Sequence, residues 1–169
     1  MKKESGFTII ELLLVVVMIA ILSVFGLPAM GDFVKNNRLT TQINTLVGHL
    51  AHARSEAVLR SVPVALCASS DMATCSGVNW AAGWIMFIDT DRDGSFDAGE
   101  EILQVKQLLA GNNTLTSTVG GGAFSYDSRG FSASGTATFS LCDDRGVPYM
   151  KSISISNTGR VRQGGAVAC

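Results

Sequence analysis

An acidic segment near the middle of the chain carries carboxylates at spacings that suit a metal ion. Asp89, Asp91, Asp93 and Glu100 fit the pattern D-x-D-x-D-G-x5-E, with Gly94 at its sixth position. That is the ligand spacing of a Ca²⁺-binding EF-hand loop. The flanking residues favour strands instead of helices, however, and Asp93-Gly94 is also a strong hairpin-turn signal. Two interpretations stay open: a polar hairpin connection, which we favour, and a weak Ca²⁺ site at these four acids.

The C-terminal part of the chain has the opposite charge. From Arg129 onward, five basic residues stand against two acids, whereas residues 89–101 hold six acids and one arginine. The whole chain has a net charge of −1, which excludes a globally basic nucleic-acid-binding protein. Any DNA site is therefore a local patch, for which Arg129 and Lys151 are candidate outer contacts on electrostatic grounds alone.

Within this basic part, Arg160 and Arg162 form the sharpest candidate for an anion site. On a strand or an extended loop, residues two apart project to the same side. Two guanidinium groups on one side suit consecutive phosphates, because each binds an anion bidentately. We expect Gly159, Gly164 and Gly165 to let the backbone approach a ligand closely. The alternative is a pair of solvated arginines, or arginines that pair with another subunit.

Four cysteines lie in the part of the chain that follows the N-terminal apolar segment. An even count favours disulfides in an oxidising compartment, and four cysteines allow three connectivities. We favour Cys67–Cys75 and Cys142–Cys169, because each pair is nearest in sequence and flanks a turn-rich segment. Zinc is disfavoured, because no C-x-x-C spacing occurs.

No arrangement of residues predicts catalysis. The sequence shows no Ser/His/Asp order and no paired carboxylates that stand out for acid–base chemistry. His49 and His52 lie three residues apart on a predicted helix and are interpreted as surface or packing residues. We therefore predict a non-enzyme without a cofactor.

The elements that must position these residues begin with an apolar N-terminal run, Phe7–Leu27, in which few residues are polar. As a helix it spans roughly 30 Å, the thickness of a bilayer's hydrocarbon core. Glu11 lies inside this run, where a carboxylate is costly and usually functional. Lys2 and Lys3 precede it and keep the N-terminus cytoplasmic. We therefore predict an inner-membrane span at residues 7–27 with the rest of the chain in the periplasm.

A second helical stretch follows the predicted span. Gly26 and Pro28 predict a kink or local melting there, after which the helix resumes and Pro63 ends it. Residues 28–62 are amphipathic, with apolar residues at helical spacing: Ile43, Leu46, Val47, Leu50, Ala53, Ala57 and Val58.

Residues 63–169 are predicted to form a β-rich head. Short β-prone runs are separated by Gly, Asn, Asp and Ser clusters. The predicted strands are 62–68, 84–89, 102–109, 114–119, 123–126, 136–143, 149–156 and 159–163. The expected fold is α+β: one long helix, about residues 7–61, packed on antiparallel sheets.

The N-terminal arrangement resembles the type III signal of type IV pilins and type II secretion pseudopilins. The resemblance rests on Gly6-Phe7, on Glu11 five residues into the mature chain and on the apolar helix. It implies that a prepilin peptidase removes residues 1–6 as a leader and methylates Phe7 to N-methylphenylalanine. It also implies that Glu11 pairs with the N-terminal amine of a neighbouring subunit in the filament.

Several stretches after the predicted span resemble the FimT/GspH group of minor pilins and pseudopilins, and the similarity covers the whole chain. They are residues 50–57, 64–67, 83–89, 126–130 and 139–142. The resemblance implies a head of two β-sheets and a low-abundance component near the tip or base of the filament. In FimT proteins of natural transformation a C-terminal Gly-Arg-x-Arg motif binds DNA, and Gly159-Arg160-Val161-Arg162 matches it residue by residue.

Three functions follow as hypotheses. The first is a minor pilin that binds double-stranded DNA non-specifically during uptake. The second is a structural minor pilin for pilus assembly, and the third is a GspH-like pseudopilin of type II secretion. In each case the expected partners are other major and minor pilins, the prepilin peptidase and the inner membrane, with the pilus at the cell surface as the destination of a pilin.

Overall fold

The computed structural model of the protein describes residues 6–165 and 169, with side chains for all of these except 25–29 and 121. The chain divides into two compact units, Met1–Asn37 and Arg38–Cys169. Residues 1–5 of the predicted leader lie outside the described residues, as do residues 166–168.

Helix α1 spans Ile9–Arg60, and Thr8 immediately precedes its first residue. The Thr8 hydroxyl oxygen accepts a hydrogen bond from the Glu11 backbone N–H at 3.4 Å, the position at which a threonine N-cap satisfies a free donor. The helical backbone continues through Gly26 and Pro28, so the predicted local melting there is wrong. One proline removes one backbone donor, and the helical turns on both sides continue without it.

In the first unit, the apolar side chains of α1 that are described are exposed, Leu12, Val15 and Ile19 among them. Among the side chains that the structure describes, no helix is long and apolar enough to cross a membrane. The predicted span, residues 7–27, extends into residues 25–27, whose side chains are not described.

Within its described residues, the second unit contains eight strands in two antiparallel sheets. One sheet, called sheet A, has the order β3-β2-β1-β5, and the other, sheet B, has the order β4-β6-β7-β8. Short 3₁₀ turns lie at Trp80–Ala82, Gly120–Gly122 and Val147–Tyr149. The strands are β1 Val64–Ala68, β2 Trp84–Ile88, β3 Ile102–Lys106, β4 Thr114–Ser117, β5 Ala123–Tyr126, β6 Ala137–Cys142, β7 Lys151–Ile155 and β8 Val161–Gln163.

All eight predicted strands are present, and the α+β prediction is confirmed. The errors are at strand ends: β3 stops at Lys106 instead of 109, and β8 starts at Val161 instead of 159. These ends lie in turns, where β-propensity alone does not decide whether a residue enters a ladder.

The main core forms between the C-terminal part of α1 and both sheets. Leu39, Ile43, Leu46, Leu50, Ala53 and Ala57 from the helix pack with aromatic residues of both sheets. The predicted apolar face of the helix is therefore largely confirmed. Val58 is an exception, because it is 48% exposed.

A smaller apolar cluster lies on the other face of sheet A. It consists of Ala65, Cys67, Ile85 and Phe87, against which Phe96 of the acidic segment packs. The Phe87 and Phe96 rings meet edge to face with centroids 5.5 Å apart. The acidic segment is therefore anchored to the sheet by an aromatic side chain from its own middle.

Candidate functional site

The two predicted DNA-binding arginines lie at the start of an edge strand. Strand β8 pairs on one side with β7, with Ser154 opposite Arg162 and Ile155 opposite Val161. Val161 is partly buried against the core, whereas Arg160 and Arg162 on either side of it are exposed. This alternation agrees with the expectation that both guanidinium groups lie on the solvent side of the strand.

Neither arginine has a side-chain partner within the described residues, 6–165 and 169. The hydrogen bonds and salt bridges there leave the guanidinium groups of Arg160 and Arg162 unpaired, while Arg60, Arg129 and Arg145 each contact an acid. An unpaired guanidinium keeps its full set of donors for an external anion.

Arg54 on α1 fixes the loop that carries Arg160. Its Nε donates a hydrogen bond to the Gly130 carbonyl oxygen at 2.9 Å, and its Nη2 donates to the Thr158 carbonyl oxygen at 2.9 Å. These two bonds tie the β5–β6 connection and the β7–β8 loop to one helix position. The sequence does not predict this role, because the partners lie 76 and 104 residues away along the chain.

The predicted role of Gly159 is corrected by the structure. Gly159 is buried, with φ of +75°, and its N–H donates to the Ser156 carbonyl oxygen at 2.8 Å. A Cβ at this position would lie 2.2 Å from the Gly130 carbonyl oxygen. The close backbone approach that this glycine permits is therefore to the neighbouring loop, not to a phosphate.

The two glycines after β8 differ in their surroundings, because among the described residues a Cβ on Gly164 would meet nothing within 4 Å. The Gly164 N–H donates to the Ser152 carbonyl oxygen at 2.9 Å. A Cβ on Gly165 would lie 2.9 Å from Thr138 Cγ2, so this residue packs on sheet B. Close packing within the head explains why residue 165 is a glycine, for which the sequence had predicted contact with a ligand.

Disulfide bonds join Cys67 to Cys75 and Cys142 to Cys169, which are the pairings that the sequence favoured. Cys142 ends β6, two strands in from the edge strand β8. The bond therefore ties Cys169 to strand β6 of sheet B.

The two predicted outer contacts differ in their surroundings. Arg129 is 78% exposed but bonds Asp127 through Nη2 at 2.9 Å. Lys151 alternates along β7 with Ile153 and Ile155 and therefore lies on the same face of the strand as these two buried residues. Arg162 lies on the opposite face of sheet B, because it pairs with Ser154. Arg129 is next to Gly130, whose carbonyl oxygen accepts a hydrogen bond from Arg54; the same side chain bonds Thr158 in the arginine loop, residues 156–160.

A groove of about 580 Å³ lies beside the arginine loop. Helix α1 contributes Val47, Ala51, Val58 and Leu59 to its walls, and the β-rich part contributes Tyr126 and Val161; Arg54 and Arg160 also line it. The groove is thus largely apolar, with two arginines among its lining residues.

The acidic segment is a loop between β2 and β3, so its flanks are strands, as predicted. Carboxylate oxygens of Asp89, Asp91 and Asp93 lie within 4.8 Å of one another. Asp89 is 2% exposed, and burial raises the pKa of its carboxyl group. The charge of Asp93 raises the pKa of Asp97.

Glu100 does not join the three aspartates, which corrects the predicted set of four ligands. Its Oε1 accepts a hydrogen bond from the Thr90 N–H at 2.8 Å, and its Oε2 accepts one from the Asp97 N–H at 3.1 Å. Both oxygens therefore hold backbone at the two ends of the loop.

His49 and His52 occupy the positions expected of packing and surface residues. The Trp84 Nε1–H donates to His49 Nδ1 at 3.0 Å, and burial lowers the pKa of His49. His52 Nε2 lies 3.3 Å from Glu56 Oε1, one helical turn along.

The predicted processing and assembly residues lie at the start of the described chain. Gly6 and Phe7 precede α1, and Phe7 is 82% exposed. Glu11 lies in the first turn of the helix. Their roles in cleavage and filament assembly stay predictions.

Comparisons with known proteins define the class. Residues 1–27 match the model of the prokaryotic N-terminal methylation motif. Together with a helix packed on two antiparallel sheets, this motif defines a minor type IV pilin or pseudopilin. Residues 42–159 match the model described as Type II transport protein GspH. That match covers more than half of the chain, and the protein belongs to the GspH family.

Solved structures share the fold. The type IV minor pilin FimU of Pseudomonas aeruginosa is 23% identical with a TM-score of 0.63, covering 79% of this chain and 92% of that one. The minor pseudopilin EpsH from the Type 2 Secretion System of Vibrio cholerae is 14% identical with a TM-score of 0.53, covering 76% of this chain and 97% of that one. At these identities the likeness shows the fold alone.

A curated relative is similar over a short stretch. Prepilin peptidase-dependent protein D of Escherichia coli is 45% identical over 47 residues, 28% of this chain. The match covers 32% of that relative, so the chain spans about a third of its length.

Proposed function

We propose that this protein is a minor type IV pilin that binds double-stranded DNA without sequence preference during natural transformation. Arg160 and Arg162 are the proposed contacts. The observation that carries the proposal is the pair of exposed guanidinium groups without acidic partners among the described residues. Arg160 lies on the β7–β8 loop, which Arg54 bonds through Thr158, and Arg162 lies on β8.

The geometry suits a phosphate backbone. Residues two apart on a strand are about 6.8 Å apart, which is comparable to the separation of neighbouring phosphates on one DNA strand. Each guanidinium binds a phosphate through two parallel hydrogen bonds. Because Arg54 holds the loop through Thr158 and the adjacent β5–β6 connection through Gly130, little backbone ordering is required on binding.

Charge distribution supports binding through the C-terminal part. The acidic loop repels DNA, whereas the segment from residue 129 onward has an excess of three positive charges. No aromatic residue neighbours the two arginines in sequence, so base stacking is not evident. We therefore expect weak, phosphate-driven binding by one subunit, which several subunits in one pilus strengthen through avidity.

The rest of the proposal follows the pilin class, whose members are structural subunits without catalytic function. We propose that prepilin peptidase cleaves after Gly6, and that Phe7 becomes the methylated N-terminus. Residues 7–27 then anchor the chain in the inner membrane with the head in the periplasm. Glu11 contacts the N-terminus of a neighbouring pilin once the subunit enters the filament.

The groove beside the arginine loop supports a second candidate function, structural assembly without DNA binding. Its apolar walls, formed by Val47, Ala51, Val58 and Leu59, suit a contact with a neighbouring subunit. In that case the protein is a structural minor pilin or a pseudopilin of type II secretion, and Arg160 pairs with an acid of the neighbour.

Arginine modification tests the proposed site directly. The oxidised full-length chain in non-ionic detergent is treated with phenylglyoxal, with and without a short DNA duplex at low salt, and each arginine is quantified by mass spectrometry. DNA should protect Arg160 and Arg162 but not Arg92, which lies in the acidic loop. Equal reactivity of Arg160 and Arg162 with and without DNA would contradict the proposal.

A further inference from the structure

We propose that the loop between β2 and β3 binds one Ca²⁺ ion through the carboxylates of Asp89, Asp91 and Asp93. This site is separate from the proposed DNA contacts and does not depend on them.

The three carboxylates have the separation that a shared cation requires. Oxygen ligands lie 2.3–2.6 Å from Ca²⁺, so two ligands on opposite sides of one ion are about 5 Å apart. The carboxylate oxygens of Asp89, Asp91 and Asp93 lie within 4.8 Å of one another. A single ion therefore reaches all three with little movement of the loop.

An unpaired buried oxygen gives the second, independent reason. Asp89 is 2% exposed, and its Oδ1 has no hydrogen-bond partner among the described residues. A buried carboxylate oxygen without a partner is costly, and the nearest carboxylates add repulsion instead of relief. A divalent cation removes both penalties at once, because it pairs with the buried oxygen and neutralises the neighbouring acids.

The loop is built to hold its shape. Phe96 packs on Phe87 of sheet A, and Glu100 accepts backbone hydrogen bonds from Thr90 and Asp97 at opposite ends of the loop. Asp91 and Asp93 are exposed, and each carboxylate accepts a backbone hydrogen bond within the loop, from the Asp93 N–H at 3.3 Å and from the Ser95 N–H at 2.6 Å. The rest of the coordination sphere is then left to backbone carbonyl oxygens and water.

The ligand set favours Ca²⁺ over Mg²⁺. Ca²⁺ accepts six to eight oxygens in irregular geometry, whereas Mg²⁺ requires near-ideal octahedral coordination and gives up its water reluctantly. Because only three carboxylates are in place, we expect a dissociation constant of about 10⁻⁴–10⁻³ M, the range of extracellular Ca²⁺ modules.

Calorimetric titration of the full-length chain in non-ionic detergent tests the site. The wild type should bind one Ca²⁺, and Mg²⁺ should bind at least about tenfold more weakly. The variant Asp91→Asn/Asp93→Asn should lose at least about tenfold in Ca²⁺ affinity. Both residues are exposed, so this variant should keep the fold, which circular dichroism checks.

A control variant, Glu101→Gln/Asp144→Asn, removes two negative charges outside the cluster. It should bind Ca²⁺ within about twofold of the wild type. Absence of Ca²⁺ heat in the wild type at about 10 mM metal would overturn the proposal. Equal losses in the two variants would also overturn it, because they would show a diffuse charge effect.

Discussion

Replacing Arg160 and Arg162 by glutamine should remove a defined part of the salt dependence of DNA binding. Each arginine is exposed, and neither has an acidic partner among the described residues. In the proposed complex each arginine neutralises one phosphate and releases condensed counterions. For duplex DNA each such contact contributes about −0.9 to the slope of log K against log salt, so the pair contributes about −1.8.

This slope converts into a measurable loss of affinity. Between about 50 and about 200 mM salt, a slope of about −1.8 weakens binding about 12-fold. Fluorescence anisotropy of a labelled duplex, titrated with the oxidised full-length chain in non-ionic detergent, gives the slope from four or five salt concentrations. The wild-type slope should be −1.8 or steeper, and the slope of Arg160→Gln/Arg162→Gln should be shallower by about 1.8.

Two further variants control this measurement. Arg92→Gln/Lys106→Gln removes the same charge elsewhere on the head and should leave the slope unchanged. Arg160→Lys/Arg162→Lys keeps the charge and should keep the slope, while affinity falls because an ammonium group cannot bind a phosphate bidentately. Equal slopes for the wild type and the glutamine variant would refute the reasoning.

Three other predictions concern the support of the site. An alanine in the left-handed backbone conformation costs about 1–2 kcal/mol, and Gly159→Ala should destabilise the head by more than this because of the added clash. The control Gly135→Ala, at a residue with φ of +77° and open space around it, should cost only that amount in thermal unfolding. Cys142→Ser/Cys169→Ser should cost about 3.5 kcal/mol, because the bond closes a loop with a sequence separation of 27, and retention of the wild-type melting temperature would contradict this. Burial lowers the pKa of His49 below its usual 6.5, so the unfolded chain binds the proton more readily. The free energy of unfolding should therefore fall as the pH drops below about 6.5. His49→Gln should lessen that fall in melting curves recorded at several pH values.

The strand pattern was predictable because it depends on local sequence. In Lys151–Ser156 the isoleucines alternate with polar residues, and Ile153 and Ile155 are buried on one face of β7. The buried face of α1 was predictable for the same reason, because helical periodicity is also local. Both patterns are written within windows of a few residues.

The support of the site was not predictable, because it depends on contacts between distant segments. Arg54 looks like an ordinary polar residue of a helix until the Gly130 and Thr158 carbonyl oxygens are placed beside it. Gly159 fits a ligand-binding glycine in sequence, and only the neighbouring loop shows why a side chain is excluded. The burial of Asp89 likewise follows from its place at the end of β2, which a motif does not encode.

The most direct test of the central claim separates DNA uptake from filament assembly in the source bacterium. The chromosomal copy is replaced by Arg160→Gln/Arg162→Gln, and transformation frequency, surface pili and protein secretion are measured together with the matched Arg92→Gln/Lys106→Gln strain. We predict a strong loss of transformation in the first strain alone, with normal pili and normal secretion. Wild-type transformation in that strain would contradict a DNA-binding role for these arginines. Loss of transformation together with loss of pili or of secretion would also contradict it.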